Sequence, residues 1–289
     1  MKKDNIPAVS VVICAYNVST LINTILESLK KQTFTDFEVV VVNDGSSDDT
    51  SALAKQVGAR VLDIEHQGLS AARNAGINAA RADIVAIIDA DCHATETWVQ
   101  EIYDTLQSGE TVVTGDTQIP HSTFLGDCIS GLGYPGGGQL GFDKMWPVDD
   151  NGYTTHLAGG NCAFRKDAIQ KLGAFNPQLT ITADDVYLSM KILQKGLKIK
   201  YNPTMIMYHP ARKDLKSFVK WHYARGKGSY AFKKQVGSFR QFYSLRWWST
   251  KNMIKKYWNS PKIVVMLSLL GLSFLVQKIG YCQQKWSKA

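Results

Sequence analysis

The sequence contains few cysteines, and their spacing matches no common metal site. Cysteine occurs five times in 289 residues, without a Cys-x-x-Cys pair and without a cluster of cysteine and histidine. The odd number and the scattered positions also argue against a disulfide framework, which is typical of small secreted domains. We therefore predict a reduced, cytosolic environment and no zinc centre.

Three other signatures are absent from the sequence. The N-terminal residues, Met-Lys-Lys-Asp-Asn-Ile-Pro, lack the apolar core that a secretory signal peptide needs. Neither a phosphate-binding P-loop nor a Gly-x-Ser-x-Gly nucleophile elbow occurs. The match to the dinucleotide-binding pattern at 131–136 contains Pro135 and precedes no predicted helix, so we do not interpret it as a dinucleotide site.

Positive charge exceeds negative charge, with a formal net charge of +8 and a pI of about 9.1. Acidic residues concentrate before residue 190, whereas Lys and Arg are abundant from Lys191 onwards. A basic protein can bind nucleic acid, an anionic membrane or a phosphorylated ligand, and charge alone does not choose among them. Because no known nucleic-acid-binding motif accompanies the charge, we expect no nucleic acid partner.

Apolar runs and helical patterns alternate through the first 110 residues. The predicted strands are 8–14, 37–42, 59–63 and 84–88. Alternation of this kind is typical of a parallel sheet with helices on both faces. Ligands of such sheets bind beyond the carboxyl ends of the strands. Four polar residues are expected at that edge: Asn43, Asp44, Asp89 and Asp91.

The pattern is less regular beyond residue 110. No regular structure is predicted from Gly115 to Asn161, and the Gly-rich stretch 131–141 is expected to be a mobile binding loop. The elements predicted after it are a strand at 160–164, helices at 166–172 and 184–195, strands at 197–201 and 205–208, and basic helices over 214–258.

The C-terminal part contains an apolar segment at 263–281, which is most strongly apolar from Ile263 to Val276. A membrane-spanning helix needs roughly 20 apolar residues, so the segment is short unless it includes the residues up to Tyr281. Lysine and aromatic residues flank it, as they do at membrane interfaces. We predict attachment to a membrane surface; a buried helix of the fold or of an oligomer is the alternative.

Asp89 and Asp91 follow the buried strand predicted at 84–88. Two carboxylates at such a position can bind a divalent cation that also holds a diphosphate, and oxygen ligands suit Mg²⁺ or Mn²⁺. The alternative is a solvated turn, which an isolated Asp-x-Asp would favour. The preceding apolar strand and the other carboxylates at this edge favour the metal site.

Two further carboxylate motifs have both a structural and a chemical interpretation. Asp44 could accept a hydrogen bond from the edge of a nucleotide base; the structural alternative is a glycine turn with a helix cap at Ser47 or Asp48, and both interpretations can hold at once. Asp184 and Asp185 open a predicted helix, where the helix dipole stabilises negative charge. The chemical interpretation makes Asp185 a general base.

Five motifs occur in a characteristic order: Val9–Asn17, Val41–Thr50, Gly68–Gly76, Asp89–Asp91 and Gly159–Arg165. In this order they resemble the family 2 glycosyltransferases, which have the GT-A fold. The resemblance covers about residues 8–210. One departure concerns the acceptor side, where the family often has Glu-Asp-x-Asp-Leu-x-x-Arg and this chain has Asp184-Asp185-Val186-Tyr187-Leu188-Ser189-Met190-Lys191.

The resemblance implies roles for individual residues. The nucleotide-sugar donor would be bound by Ala15, Tyr16, Asp44, Arg73 and Asp89. The acceptor would be contacted by Gly160, Asn161 and Asp184. Asp91 and His209 would bind Mg²⁺ or Mn²⁺, and Asp185 would be the general base of a single, inverting displacement.

The predicted organisation is an α/β GT-A domain at 1–212 with a mainly parallel central sheet, followed by a basic helical extension at 213–289. The domain would consist of a donor half, 1–117, and an acceptor half, 118–212. The apolar C-terminal segment suggests a glycan or lipid-linked acceptor and a position at the cytoplasmic face of the cell membrane.

Two other functions remain open from sequence alone. A nucleotidyltransferase can share this kind of domain, but a Gly-rich, basic loop should follow its first strand, where this chain has Ala15-Tyr16-Asn17-Val18-Ser19. A non-catalytic membrane scaffold of the same fold would bind no donor.

Overall fold

The computed structural model describes residues 6–133, 146–179, 182–237 and 240–287. The chain forms two compact units. Unit 1 contains the residues up to Asp116, together with Val148–Thr180 and Asp184–Tyr208. Unit 2 contains Thr117–Pro147, Ile181–Ala183 and His209–Ala289. The residues of the predicted acceptor half, 118–212, are therefore divided between the units.

Unit 1 is built on one mixed sheet. Its strands in chain order are β1 (Val9–Ala15), β2 (Phe37–Asp44), β3 (Arg60–Ile64), β4 (Ile84–Asp89), β5 (His93–Ala94), β6 (Val112–Gln118), β7 (Tyr153–Thr154), β8 (Asn161–Arg165) and β9 (Ile199–Tyr208). The order across the sheet is β3-β2-β1-β4-β8-β6-β9-β5, and β7 pairs with β9. β3, β2, β1 and β4 are parallel, and the pairs of β8 with β4 and β6 are antiparallel. The predicted α/β, GT-A-type fold is confirmed.

Ten helices complete the described structure. They are α1 (Ile22–Lys30), α2 (Thr50–Gln56), α3 (Leu69–Ala79), α4 (Trp98–Gln107), α5 (Phe124–Ser130), α6 (Lys166–Lys171), α7 (Asp184–Gln194), α8 (Leu215–Val236), α9 (Arg240–Tyr257) and α10 (Lys262–Trp286). Unit 2 contains α5, α8, α9 and α10, and the others belong to unit 1.

Alternate residues of β1 face two different cores. Val11 and Ile13 pack in a cluster that includes Trp98 of α4, whereas Val12 packs with Ile77 of α3 on the opposite face. Because both faces are covered by helices, apolar residues are needed on both sides of β1, which explains why every residue of the strand except Ser10 is apolar. The carboxyl end of the parallel strands is then the edge left for ligands.

The stretch 115–161 is more regular than the sequence predicts, because β6, α5 and β7 lie in it. β6 was missed since it is rich in polar residues, yet Thr114 and Asp116 are buried. Their side chains are satisfied internally: Tyr201 Oη donates to Asp116 Oδ1 at 2.9 Å, and Thr114 Oγ1 lies 3.3 Å from the carbonyl oxygen of Asn161. The predicted mobile loop at 131–141 lies almost entirely outside the described residues.

The two short strands predicted at 197–201 and 205–208 form one strand, β9. It continues through Pro203, where residues 203 and 204 are exposed. A proline lacks the backbone N–H that a central strand must donate, but it is tolerated where that side of the strand is solvated. Because the middle of β9 is polar and contains a proline, the sequence pattern predicted two short strands where the structure has one.

Unit 2 has its own core, formed by α5, α8, α9 and α10. Its buried side chains are Cys128, Ile129, Leu132, Phe218, Met253, Met266 and Leu269. α8 and α10 approach closely at two glycines, because a Cβ on Gly226 would lie 2.2 Å from the carbonyl oxygen of Gln277 and one on Gly280 would lie 2.3 Å from that of Tyr223. α10 is long and apolar enough to cross a membrane, and one of its faces is buried in unit 2.

Candidate active site

A cavity of about 500 Å³ lies at the carboxyl ends of β1 and β2, beside the start of α3. Ala15 and Tyr16 form one wall and Asp44 another. The Tyr16 ring, which is 48% exposed, stacks on the His66 ring with centroids 4.1 Å apart. Cys14 also lines the cavity, and burial raises the pKa of its thiol to about 12, so the thiol is neutral. The predicted donor residues Ala15, Tyr16 and Asp44 thus share one cavity.

Asp44 binds the chain just before α3. Its Oδ1 accepts from the backbone N–H of Gln67 at 2.8 Å, and its Oδ2 accepts from that of Gly68 at 3.0 Å. Gly68 is the residue that caps α3, with φ of 92°. A buried carboxylate that satisfies these donors fixes where α3 begins. Asp44 therefore anchors a different helix from the one that directly follows its motif, and it does so within the cavity that its proposed chemical role requires.

Arg73 is a buried cation that joins two carboxylates. Its Nη1 lies 2.6 Å from Asp184 Oδ2, and its Nη2 lies 3.3 Å from Asp89 Oδ1. Burial alone lowers the pKa of a guanidinium, but Asp184 and Asp89 outweigh that effect and raise the pKa of Arg73 above its ordinary value. Arg73 therefore stays charged, and it holds Asp89 at the end of β4.

Gly160 allows β8 to pass directly against Asp89. The backbone N–H of Asp89 donates to the carbonyl oxygen of Gly160 at 3.3 Å. A Cβ at Gly160 would lie 2.0 Å from Asp89 Oδ2, and one at Gly159 would lie 2.7 Å from Arg73 Nη1. Only glycine at these two positions leaves room for the Asp89 carboxylate and the Arg73 guanidinium. Gly159 and Gly160 therefore allow the two side chains to lie against this backbone.

Asp89 and Asp91 offer oxygen donors at the end of β4. The Asp89 side chain is 38% exposed, and Asp91 is half-buried. Cys92 Sγ lies 3.5 Å from Asp91 Oδ1, and burial raises the pKa of this thiol well above its ordinary value. The neutral thiol is a poor metal ligand, whereas the carboxylates are hard ligands that suit Mg²⁺ or Mn²⁺. The donor set in unit 1 therefore fits the predicted cation.

His209, the other predicted metal ligand, belongs to unit 2 and directly follows β9. Its Nδ1 lies 2.8 Å from the carbonyl oxygen of Pro210. Since a carbonyl oxygen only accepts, Nδ1 donates in that bond. Histidines that bind a metal through Nε2 commonly donate from Nδ1 to such an oxygen.

Asp185 lies in the first turn of α7, half-buried, next to Asp184. Its Oδ1 accepts from the backbone N–H of Val186 at 2.7 Å, and its carbonyl oxygen accepts from Ser189 Oγ at 2.7 Å. The ion pair of Asp184 with Arg73 connects this turn to α3. In this first turn the Asp184 carboxylate is therefore buried, whereas the neighbouring Asp185 is only half-buried.

Two residues predicted to contact the acceptor are buried instead. Asp184 is 4% exposed and binds Arg73, and Asn161 is fully buried. Asn161 Oδ1 accepts from Trp98 Nε1 at 2.9 Å, and its Nδ2 donates to the carbonyl oxygen of Asp116 at 3.0 Å. Their side chains hold unit 1 together beneath the site, so the structure does not present them to an acceptor.

Three contributors escaped the sequence interpretation: His66, Ser70 and Gly159. His66 forms the stack with Tyr16, and Ser70 Oγ lies 3.2 Å from Asp184 Oδ2. A signal was available for His66 and Ser70, because both flank Gly68 at the predicted start of a helix. Their partners Tyr16 and Asp184 lie far away in the sequence, so no local pattern could reveal the contacts.

Comparison with known proteins identifies one family. The model of glycosyl transferase family 2 matches residues 10–173. EpsH of Bacillus subtilis is 41% identical over 102 residues, which cover 34% of this chain and 28% of EpsH. The chain thus spans less than a third of that relative. Glucosyl-dolichyl phosphate glucuronosyltransferase of Haloferax volcanii is 26% identical over 223 residues, 70% of this chain and 68% of that protein.

A solved structure is similar over nearly the whole chain. The mannosyltransferase PcManGT from Pyrobaculum calidifontis, in complex with GDP-Man and Mn²⁺, has a TM-score of 0.63 at 17% identity. The alignment covers 98% of this chain and 88% of PcManGT. At this identity the likeness supports the fold, and the family match supports the activity class. The chain belongs to glycosyl transferase family 2.

Proposed function

We propose that this chain transfers a sugar from a nucleotide-diphosphate sugar to an acceptor hydroxyl, with inversion at the anomeric carbon. One observation carries the proposal: the stacked Tyr16–His66 cavity and the Arg73–Asp89 pair both lie at the carboxyl end of the parallel strands. Ligands of parallel sheets bind at that edge. A nucleoside in the cavity would direct its diphosphate towards Asp89.

The donor is bound by groups of three kinds. Tyr16 offers an exposed aromatic ring to the base. Asp44 accepts two backbone hydrogen bonds and lies 3.0 Å from His66 Nδ1 through Oδ2, and its carboxylate has acceptor capacity beyond these contacts. Asp89 is the carboxylate that faces ribose or a metal-bound water. Arg73 acts through Asp89, because its guanidinium is buried and binds two carboxylates already. Its positive charge still lowers the cost of bringing a diphosphate to this edge.

Asp91 is proposed as the metal ligand, with His209 as a further one. A bound Mg²⁺ or Mn²⁺ would neutralise the negative charge that develops on the leaving diphosphate. The hard carboxylate oxygens of Asp91 and the donation from His209 Nδ1 to the Pro210 carbonyl oxygen support this assignment. PcManGT was solved with Mn²⁺ and GDP-Man, which agrees with it.

Asp185 is proposed as the general base. It would accept the acceptor's hydroxyl proton while the acceptor oxygen forms its bond to the anomeric carbon. In the same step the bond from that carbon to the diphosphate breaks, and the electron pair leaves with the nucleoside diphosphate. One displacement of this kind inverts the anomeric configuration. The internal anchoring of neighbouring Asp184 by Arg73 supports the role, because it fixes the turn that carries the base.

The acceptor is proposed to be a glycan or lipid-linked hydroxyl compound. The similarity to a glucosyl-dolichyl phosphate glucuronosyltransferase supports a lipid-linked acceptor, and the apolar α10 supports a membrane surface as a partner. The corresponding location is the cytoplasmic face of the cell membrane. The Gly160 backbone beside Asp89 is the remaining predicted contact on the acceptor side.

A hydrolysis screen of nucleotide sugars with Mg²⁺ or Mn²⁺ tests the proposal. We expect release of nucleoside diphosphate from one donor, dependent on the added cation and lost in Asp91→Ala. If no donor is hydrolysed, and none binds in calorimetry with Mn²⁺, the non-catalytic scaffold of the same fold becomes the better function. Release of pyrophosphate from a nucleoside triphosphate and a sugar phosphate would instead identify a nucleotidyltransferase.

A further inference from the structure

Unit 2 contains a cavity of its own, about 520 Å³ in volume, between α8, α9 and α10. Four cationic side chains line it: Arg225, Lys233, Arg246 and Lys278. No carboxylate is among its described lining residues. The sequence explains this, because Leu215 to Ala289 contains fifteen Lys and Arg residues and neither Asp nor Glu. An anion in this cavity would meet positive charge on its described lining residues.

Two of the guanidinium groups are held in place by neighbours. Arg246 Nη1 lies 3.2 Å from Gln277 Oε1, its Nη2 bonds Ser273 Oγ, and its Cζ lies 3.5 Å above the Phe274 ring. Arg225 Cζ lies 4.6 Å from the centroid of the Trp221 ring. Guanidinium groups fixed in this way lose less conformational entropy when they bind an oxyanion such as phosphate.

The helix that closes the cavity has two distinct apolar faces. Its inner face, which includes Met266, Leu269 and Val276, is buried in unit 2. Its outer face is exposed, with Val264 at 67%, Leu267 at 46%, Leu275 at 57% and Ile279 at 53% exposure. These side chains form an apolar stripe on one side of the helix, interrupted at Gly271 between Leu267 and Leu275. No described residue of unit 2 covers this stripe.

The cavity and the apolar stripe meet at α10. Phe274 lines the cavity and is 48% exposed, and Lys278 precedes Ile279 of the stripe. Ile279 and Val276 also border an apolar groove between α8 and α10, together with Leu215 and Val219. A single ligand could therefore place an anionic group among the cations and hydrocarbon against α10. Free phosphate would use the cations but leave the apolar stripe in water.

We propose that unit 2 binds an anionic glycerophospholipid, with its phosphate headgroup in the basic cavity and its hydrocarbon against the outer face of α10. This proposal rests on the membrane attachment proposed above and names the lipid chemistry that unit 2 recognises. The exposed aromatic side chains Trp247, Trp258 and Trp286 suit the headgroup level of a bilayer.

The same contacts orient α10 along the membrane surface. α10 packs on α8 at Gly226 and Gly280, and α8 carries Arg225 and Lys227 beside these contacts. If α10 crossed the bilayer, these cations would be drawn towards the hydrocarbon core, where a charged side chain is costly. A helix that lies in the interface keeps its cations at the headgroups and its apolar face in the acyl region.

Vesicle binding by the full-length protein tests the proposal. Partition onto phosphatidylcholine vesicles, with and without about 30% phosphatidylglycerol, is measured by sedimentation. Lys233→Gln with Lys278→Gln removes two exposed cations from the cavity. The matched control, Lys255→Gln with Lys256→Gln, removes two exposed cations at the end of α9 that do not line it. Both variants lose the same net charge, so non-specific attraction falls equally.

We expect the cavity variant to bind phosphatidylglycerol vesicles at least about tenfold more weakly than the control, because it loses charge-assisted bonds to phosphate as well as net charge. Lys233→Arg with Lys278→Arg should restore binding. Leu267→Ser with Leu275→Ser should weaken binding to both kinds of vesicle, since it removes apolar contact area. Equal binding by the cavity variant and the control would overturn the headgroup site.

Two other outcomes also decide against the proposal. If wild-type protein binds no vesicle of either composition, the membrane attachment and the lipid site both fail. If millimolar glycerophosphate or inorganic phosphate abolishes binding to phosphatidylglycerol vesicles, the cavity is a site for soluble anions. Nucleotide-sugar hydrolysis by the same samples reports on unit 1, so failure of the glycosyl-transfer proposal is seen separately.

Discussion

Arg73 Nη1 and Asp184 Oδ2 lie 2.6 Å apart, both buried, and they join α3 to the first turn of α7. The two residues are 111 positions apart in the sequence. Arg73 of this pair places a positive charge beside Asp89. Asp184 of the pair fixes the first turn of α7, which also carries Asp185. A single buried ion pair therefore connects the donor side of the site to the proposed base.

Breaking this pair should destabilise the protein strongly. Asp184→Ala leaves Arg73 buried with a weaker partner, so we expect the free energy of unfolding to fall by about 3 kcal/mol. Denaturant unfolding measures it. The matched control is Asp167→Ala, which breaks an exposed pair with Lys171 and should change stability by less than about 0.5 kcal/mol. Equal effects of the two changes would contradict the buried role of Asp184.

Gly160→Ala should abolish transfer without unfolding the protein. The added methyl group would lie 2.0 Å from Asp89 Oδ2, so the carboxylate must move from the end of β4. We expect kcat to fall by about a hundredfold or more, because small misplacement of a reacting geometry costs that much. Gly271→Ala is the control, since no atom lies within 4 Å of a Cβ there. Normal turnover by Gly160→Ala would remove Asp89 from the mechanism.

Asp91→Ala should make activity insensitive to added cation. If Asp91 binds the metal, its loss lowers cation affinity and reduces transfer by about a thousandfold, on the order of what Lewis-acid stabilisation contributes. Titration of activity with Mn²⁺ measures both effects. Asp36→Ala removes an exposed carboxylate elsewhere and should leave the titration unchanged. Near-normal, Mn²⁺-dependent turnover in Asp91→Ala would move the metal to other ligands.

Asp185→Asn should separate donor binding from transfer. The amide keeps the shape of the side chain but cannot take the acceptor proton, so kcat should fall by about 10²–10⁴. The affinity for the donor, measured by calorimetry with Mn²⁺, should stay within about twofold. A parallel loss of donor affinity and turnover would give Asp185 a binding role, and unchanged turnover would place the base elsewhere.

Acid should destabilise unit 1 through His156. Burial lowers the pKa of His156 from 6.5 to about 4, so between these values the unfolded chain binds a proton that the folded chain excludes. Stability is therefore complete above pH 6.5 and is lost as the pH falls towards 4, by about 3 kcal/mol. His156→Gln should reduce this dependence, and burial of His222, which lowers its pKa to about 3, should maintain the rest. His93→Gln, at an exposed position, should leave the dependence unchanged. Denaturant unfolding between pH 7 and pH 4 measures the slopes.

The donor side of unit 1 was predictable because its signals are local. β1, β2 and β4 are mainly apolar, and Asp44 and Asp89 are the last residues of β2 and β4. Periodicity therefore predicted these strands and the edge at which Asp44 and Asp89 lie, whereas the place of Ala15 in the site came from the resemblance to the family.

The acceptor side was less predictable because its contacts are long-range. Nothing in the sequence near Asp184 or Asn161 indicates that Arg73 and Trp98 turn their side chains inward. β6 was missed for the same reason, because a sequence pattern rich in polar residues predicts a loop unless the partners that bury those residues are known. Burial of a polar group depends on residues that a local pattern does not contain.

The two glycine contacts between α8 and α10 affect how the protein can be shortened. A chain cut after Asn259 loses Met266 and Leu269 from the core of unit 2, and it uncovers Gly226 of α8. Phe218, fully buried in the whole chain, would then lose its packing partners on α10. Removing the apolar tail to improve solubility should therefore produce an aggregating fragment, and substitutions on the outer face of α10 are the better route to a soluble enzyme.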